Sequence, residues 1–218
     1  MRKNLERARD LVPAMMLTVL SMIQALALEL YWSKIGDSPF LWGGGWEALI
    51  GWMQLLAMFA GILLIWVLYV SFVLRFTWLP SLGDTLMPFL IGVLEFAMVD
   101  TLQPERLGIW LVLLGVLFGL ATATSHATMR RARREPENAY FFTAVGPASW
   151  RDYLHSAFTV SLLAGFGITL WIVGFNPWLA LAALLYALGT LSYQILQAKK
   201  YWMHSLLPGE NAPESSET

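Results

Sequence analysis

The chain has no cysteine, and only 13% of its 218 residues are charged. The first absence removes disulfides, thiolate nucleophiles, zinc thiolate sites and iron–sulfur clusters from consideration. The second is out of line with a soluble domain, where about a quarter of residues carry charge. Catalytic templates are missing as well: there is no GxSxG elbow, no HExxH, no Walker-type glycine loop and no GxGxxG after a strand. Asp152, His155 and Ser156 imitate a relay only superficially, because Ser next to His points to another helix face. No internal repeat is visible, so an inverted-repeat transporter architecture has no support. No cofactor is implied.

What fills the space is apolar. Hydrophobic residues make up 57% of the chain, and the mean hydropathy is +0.58. Positions 11–28, 48–74, 107–129 and 153–198 hold no Asp, Glu, Lys or Arg. Crossing ~30 Å of hydrocarbon takes about 20 helical residues. The last run is long enough for two spans, and Gly174, Phe175, Asn176 and Pro177 break it with turn chemistry. A weaker stretch, 85–102, is apolar except for Glu95 and Asp100. It counts as a span because without it the basic residues fall on both sides.

The expectation is an all-α, polytopic membrane protein: a single six-helix domain over 1–206, with spans near 11–32, 48–74, 85–102, 107–128, 153–174 and 177–198. A polar, acidic and disordered tail over 207–218 follows. With six spans, Arg2, Lys3, Arg7, Arg9, Arg75, Arg130, Arg131, Arg133, Arg134, Arg151, Lys199 and Lys200 share one side, and only Lys34 and Arg106 take the other. The positive-inside rule then puts both termini in the cytoplasm. A cleaved signal peptide ending near Ala25-Leu26-Ala27 is the rival for the first span, but its apolar stretch is longer than a usual signal core. Short loops fit a bacterial inner membrane.

The arginines are topology markers first. Arg130–Arg134 would also attract anionic lipid headgroups, at about 1 kcal/mol per charge, and no nucleic-acid role is expected. The later part of that loop, with Tyr140, Phe141, Phe142 and Trp150, suits the membrane interface. So does the outer loop with Phe40, Trp42, Gly43–Gly45 and Trp46, which reads as an interfacial anchor with a glycine hinge.

Small residues mark helix packing. Gly115, Gly119, Ala123 and Ala127 recur every four residues, forming a groove where another helix, of this chain or a second copy, packs closely. Ser161, Gly165 and Thr169 repeat the theme in the fifth span.

Ionisable residues at membrane depth carry the functional expectation, because a charge at a helix centre costs about 2.5–3.5 kcal/mol and needs a partner or water. Glu95 leads, with Pro88 and Gly92 on roughly the same face and Asp84 opening it at the cytoplasmic end. Glu29 continues a stripe of Thr18, Ser21 and Ala25, with Gln24 flanking it, and Asp100 lies near the outer end of the third span. Such carboxyls stay protonated or meet a cation, which is the basis of a proton or cation site. The bland alternatives are headgroup-region placement for Glu29 and Asp100, the latter paired with Arg106, and a hydrogen-bonded packing role for Glu95. His126 and His155 share a depth, and their spacing does not select a haem or metal.

Two function classes follow. One is movement of a proton, monovalent cation or small solute through the bundle with Glu95 as the coupling carboxylate. The other is a non-catalytic membrane subunit or assembly factor that binds a partner protein or a second copy. An enzyme acting on a lipid or quinone ranks third.

Overall fold

A computed structural model describes residues 2–144, 146 and 150–206, with the side chains of 2–6, 140, 144, 151, 152 and 200–206 excluded. The expected acidic tail, 207–218, lies outside the described residues. The structure is all-α, and six of its helices are long and apolar enough to cross a membrane, so the protein is a multi-pass helical membrane protein. In chain order the helices are α1 (Arg2–Gly36), α2 (Gly45–Arg75), α3 (Leu82–Asp100), α4 (Leu107–Ala132), the short α5 (Ala139–Ala144), α6 (Trp150–Val173) and α7 (Pro177–Leu206). Single 3-10 turns at Pro39–Leu41, Pro104–Arg106 and Pro136–Asn138 lead into α2, α4 and α5.

Local chemistry sets the helix ends. The α6–α7 hairpin turns at Gly174, whose φ of 85° suits a residue without a Cβ. Its N–H bonds to the Leu170 carbonyl at 3.0 Å. Asn176 then caps α7, its Oδ1 accepting from the backbone N–H groups of Trp178 and Leu179, both at 3.1 Å, with Pro177 at the first helical position. α3 starts on a reciprocal capping box, in which Asp84 N–H donates to Ser81 Oγ and Ser81 N–H donates to Asp84 Oδ2 at 2.7 Å.

Elsewhere the helices outrun the uncharged stretches. Both α1, at 35 residues, and α2, at 31, exceed the roughly 20 needed to cross, so their ends extend beyond hydrocarbon depth.

The most extensive contacts pair α1 with α3, α2 with α7 and α4 with α6. Between helices in lipid there is little hydrophobic drive, so close approach and polar bonds must hold them. Gly108 and Gly167 supply the closest approach in the α4–α6 pair. A Cβ on Gly108 would lie 2.7 Å from the Gly167 carbonyl oxygen and 2.8 Å from the Trp171 nitrogen, and a Cβ on Gly167 would lie 2.6 Å from the Gly108 carbonyl oxygen. Gly115 also faces α6, with the Val160 carbonyl oxygen 3.4 Å from a Cβ placed there, and Gly119 has room, at 3.8 Å from Val160. The groove expected on α4 thus meets a helix of the same chain, although Ala123 is exposed. In α6 the expected stripe of Ser161, Gly165 and Thr169 is exposed instead. Leu163, Gly167 and Leu170 form the buried side, because small residues on a lipid-facing helix need not mark its packed face.

One large core runs through the bundle around Leu20, Ile50, Met58, Met98, Trp110, Leu114, Leu163 and Leu184. A second, smaller core of Phe76, Trp78 and Ala132, with Phe72, Met129, Phe141 and Phe142 against it, closes one end. That end collects the basic residues that extend from α1, α2 and α4. Arg9 meets Glu135 at 3.4 Å and Glu137 at 2.6 Å, and Arg131 pairs with Asp84. At the other end Lys34 donates to the Asp100 carbonyl at 3.3 Å and Arg106 sits 3.6 Å from Asp100 Oδ2. Aromatic rings crowd this second end, with Trp42 edge-on to Trp52 and Trp46 edge-on to Trp178. Exposed indoles at the ends of spans suit the headgroup level.

Candidate functional site

Glu95 lies fourteen residues into the 19-residue α3, so it sits about 20 Å along a helix of about 28 Å. It is 1% exposed. The same face of α3 buries Asp84, Pro88, Ile91, Gly92, Met98 and Val99. Gly92 is needed because the methyl of Ile23 from α1 occupies the place a Cβ would take. Pro88 lacks an N–H and so leaves the Asp84 carbonyl without its helical donor.

The partner of Glu95 is Gln24, from the buried side of α1. Gln24 Nε2 donates to Glu95 Oε1 and to the carbonyl oxygen of Ile62 in α2, each at 3.1 Å. One amide thereby ties α1, α2 and α3 together. Glu95 Oε2 is buried and has no hydrogen-bond partner.

The other carboxylates are placed differently. Glu29 is exposed on α1, and so are Thr18 and Ala25 of its stripe. α1 instead turns Met16, Leu20, Gln24 and Ala27 inward. A stripe of small and polar residues misdirects here because lipid and core are both apolar, so polarity does not tell the two faces apart. Asp100 is also exposed, with its side chain toward Arg106. Neither Glu29 nor Asp100 has a hydrogen bond or ion pair to Glu95 among the described residues. Asp84 is buried, but both its oxygens are engaged, Oδ2 in the capping box and Oδ1 with Arg131.

Polar groups do recur along the seam of α2 and α3. Toward the end holding Lys34 and Arg106, Gln54 is 1% exposed and its Nε2 donates to the Thr101 carbonyl at 3.3 Å, while its Oε1 has no partner. Toward the basic end, Tyr69 of α2 has a buried hydroxyl without a partner. Gln54 and Tyr69 stand out in sequence only as rare polar residues of an apolar span, with nothing to say which way they face.

His126 and His155 are not brought together on one ligand. The His126 ring stacks on Tyr153 at 4.1 Å between centroids, and His155 faces Tyr193 at 5.9 Å. Among the described residues no group of three or more His, Asp or Glu is arranged to hold a metal ion.

The basic loop is largely occupied with the protein itself. Arg131 holds Asp84, and Arg133 donates to the Gly146 carbonyl at 2.6 Å with its guanidinium 4.5 Å from the Phe142 ring centroid. Arg130 and Arg134 are exposed. Asn138 locks the loop to the α2–α3 connection. Its Nδ2 donates to the carbonyls of Thr77 and Ala132 at 2.6 and 2.7 Å, and its Oδ1 accepts from the Thr77 N–H at 3.2 Å. Thr77 Oγ1 donates to Glu137 at 2.9 Å. The Arg9 guanidinium, followed by the Thr77 hydroxyl, holds the Glu137 carboxyl below its ordinary value.

Comparison with known proteins gives no match, whether to a family model, a curated protein or a solved structure.

Proposed function

We propose that the protein moves protons, or a small monovalent cation, along the seam where α1, α2 and α3 meet, with Glu95 as the coupling carboxylate. The observation that carries this reading is the unpartnered Oε2 of Glu95, a carboxylate oxygen buried at membrane depth. Such a group is expensive unless it holds a proton or receives a cation, and that property is what a relay site uses.

The polar levels of the seam support the same reading. Thr101 lies six residues from Glu95, about 9 Å along α3. Tyr69 lies seven residues from Ile62, about 10 Å along α2. Each gap is longer than one hydrogen bond, and a relay across it needs about two waters in a row. The route runs from the Gln54–Thr101 pair through Glu95 and Gln24 to Tyr69 and the basic end. Glu29 and Asp100, exposed as they are, lie off it. By the positive-inside rule the basic end faces the cytoplasm, and the short loops suit a bacterial inner membrane.

The test is proton and monovalent-cation flux in proteoliposomes of wild type and Glu95→Gln, with matched thermal unfolding of the two. Flux in wild type that falls at least tenfold in the variant supports the relay. Equal flux in both removes Glu95 from the mechanism. No flux from folded wild type overturns ion movement and transfers the weight to a membrane subunit that binds a partner protein.

A further inference from the structure

The basic end of the bundle contains a two-chambered cleft that meets the ion route only at Tyr69. Its outer chamber, about 290 Å³, lies between α2, α4 and α5 and is lined by Ser71, Arg75, Phe76, Met129 and Phe141 among others. Its inner chamber, about 60 Å³, reaches toward α3 and is lined by Tyr69, Trp78, Ile91 and Thr128 among others. Leu68, Phe72 and Ser125 line both.

Two donors at the inner chamber are orphaned. Trp78 is 2% exposed, and its indole N–H is buried without a partner. The buried Tyr69 hydroxyl also lacks one. Leaving a buried donor unmade costs about 1–3 kcal/mol, so two of them lining one chamber call for acceptors from outside the chain. Over the outer chamber, the Arg75 guanidinium lies 5.2 Å from the Phe141 ring centroid and 6.0 Å from that of Phe76, keeping a positive charge at the rim. Tyr69 is six residues deeper than Arg75 on α2, about 9 Å. That depth separates the level of lipid phosphates from the boundary between headgroups and acyl chains.

We propose that this cleft is a specific site for one anionic phospholipid. Its phosphodiester meets Arg75, its glycerol ester carbonyls accept from Trp78 Nε1 and Tyr69 Oη, and its upper chain methylenes lie along Leu68, Phe72 and Met129. The chemistry recognised is an anion joined to ester acceptors and an apolar tail; free phosphate lacks the esters and the tail, and a zwitterionic lipid sets its own cation against the Arg75 charge. This site is internal to the bundle and distinct from the exposed Arg130 and Arg134; it shares Tyr69 with the ion route, but lipid retention is read without any flux, so either proposal can fail alone.

The experiment is native mass spectrometry of the full-length protein in mild detergent, titrated in turn with phosphatidylglycerol, phosphatidylcholine and inorganic phosphate. Wild type is expected to retain one phosphatidylglycerol, at least tenfold more tightly than phosphatidylcholine, and to bind no phosphate. Tyr69→Phe combined with Trp78→Phe should weaken retention at least fivefold, while Arg130→Gln combined with Arg134→Gln leaves it unchanged. Should the Trp78→Phe chain fail to fold, Tyr69→Phe alone removes a single oxygen and carries the test, with a loss of at least twofold. Retention that is unchanged in the cleft variants, or lost only in the Arg130 and Arg134 variant, overturns the site. Phosphate held as firmly as the lipid would show an anion site in place of a lipid site, and equal retention of both lipids would show no charge selection. Either result overturns the proposal.

Discussion

Replacing glycines with alanine along α4 and α6 should give a graded response set by what each new methyl meets. At Gly108 the methyl would meet backbone at 2.7 and 2.8 Å, and at Gly167 backbone at 2.6 Å. Ordinary contact needs about 3.5 Å, so the two helices must part by about 0.8 Å at this crossing. Backbone cannot swing aside as a side chain can, which places the cost near the top of the usual overpacking range of about 1–3 kcal/mol. Alanine returns up to about 1 kcal/mol of helix propensity. The net loss expected for Gly108→Ala or Gly167→Ala is therefore about 2 kcal/mol. Gly115→Ala, at 3.4 Å from the Val160 carbonyl, should be near neutral, and Gly165→Ala, with nothing within 4 Å, neutral or stabilising. The Gly108→Ala/Gly167→Ala double variant should cost less than the sum, because helices already parted by one methyl have room for the second. Reversible unfolding in mixed micelles, titrated with SDS and followed by circular dichroism, measures each difference. A Gly165→Ala loss equal to that of Gly108→Ala, or a strictly additive double variant, would refute the reasoning.

Gln24→Leu should cost about 1–3 kcal/mol in the same unfolding assay by stripping Glu95 of its partner, and much less in a Glu95→Leu background, where the carboxyl beside it is gone. Asp84→Ala should cost about 1 kcal/mol for the lost cap of α3 and more for the unpaired Arg131, whereas Asp84→Asn restores the cap without the ion pair. Asn138→Ala should speed amide exchange in the segment around Thr77 at least tenfold, with little change in the centres of α2 and α4, since its side chain bonds Thr77 and the last residue of α4, away from those centres. Because the folded-state value of Glu137 lies below its ordinary 4.5, its pairing stabilises the fold above that pH and the contribution is lost as pH falls through the folded value. Glu137→Gln should therefore flatten the fall of Tm below pH 4.5, a small effect at this exposed site that added salt weakens.

The six spans were legible because length and the absence of charge are properties of a segment alone. The α6–α7 turn was legible for a similar reason, since Gly174 and Asn176-Pro177 carry their own conformational instructions. Which face of a span turns inward is another matter. On α3 the spacing of Asp84, Pro88, Gly92 and Glu95 marks the buried side, because a proline, a glycine and a carboxyl are all poorly suited to lipid. On α1 Thr18 and Glu29 of the polar stripe are exposed and Ser21 is half-buried, while the single glutamine beside it faces the core. Thr18 shows why: its hydroxyl bonds back to the Ala14 carbonyl at 3.1 Å, which satisfies it within its own helix. Gln24 cannot do this with all its polar atoms, so among the polar residues of α1 it has the strongest reason to turn inward. The ties of the basic end were illegible altogether, since Asn138, Thr77 and Arg9 are far apart in the chain and meet only once the helices have packed.

The bundle thus divides its packing between two means. α4 and α6 approach through Gly108 and Gly167, with backbone contacts that need no polar side chain. α1, α2 and α3 meet through Gln24, Gln54 and Glu95, and this half contains the unpartnered oxygens of Gln54 and Glu95. A packed backbone crossing has one best geometry and resists change, whereas amide and carboxyl groups can exchange partners, with each other or with water, at modest cost. Movement, if the bundle changes shape in operation, belongs to the α1–α2–α3 seam, with the α4–α6 pair as the rigid support. This division gives the glycine series a second use. Gly108→Ala should lower stability and leave any ion flux per folded molecule unchanged, while Gln24→Leu should change flux even where stability is recovered by the Glu95 substitution. If both variants altered flux in proportion to their stability alone, the seam would have no role separate from packing.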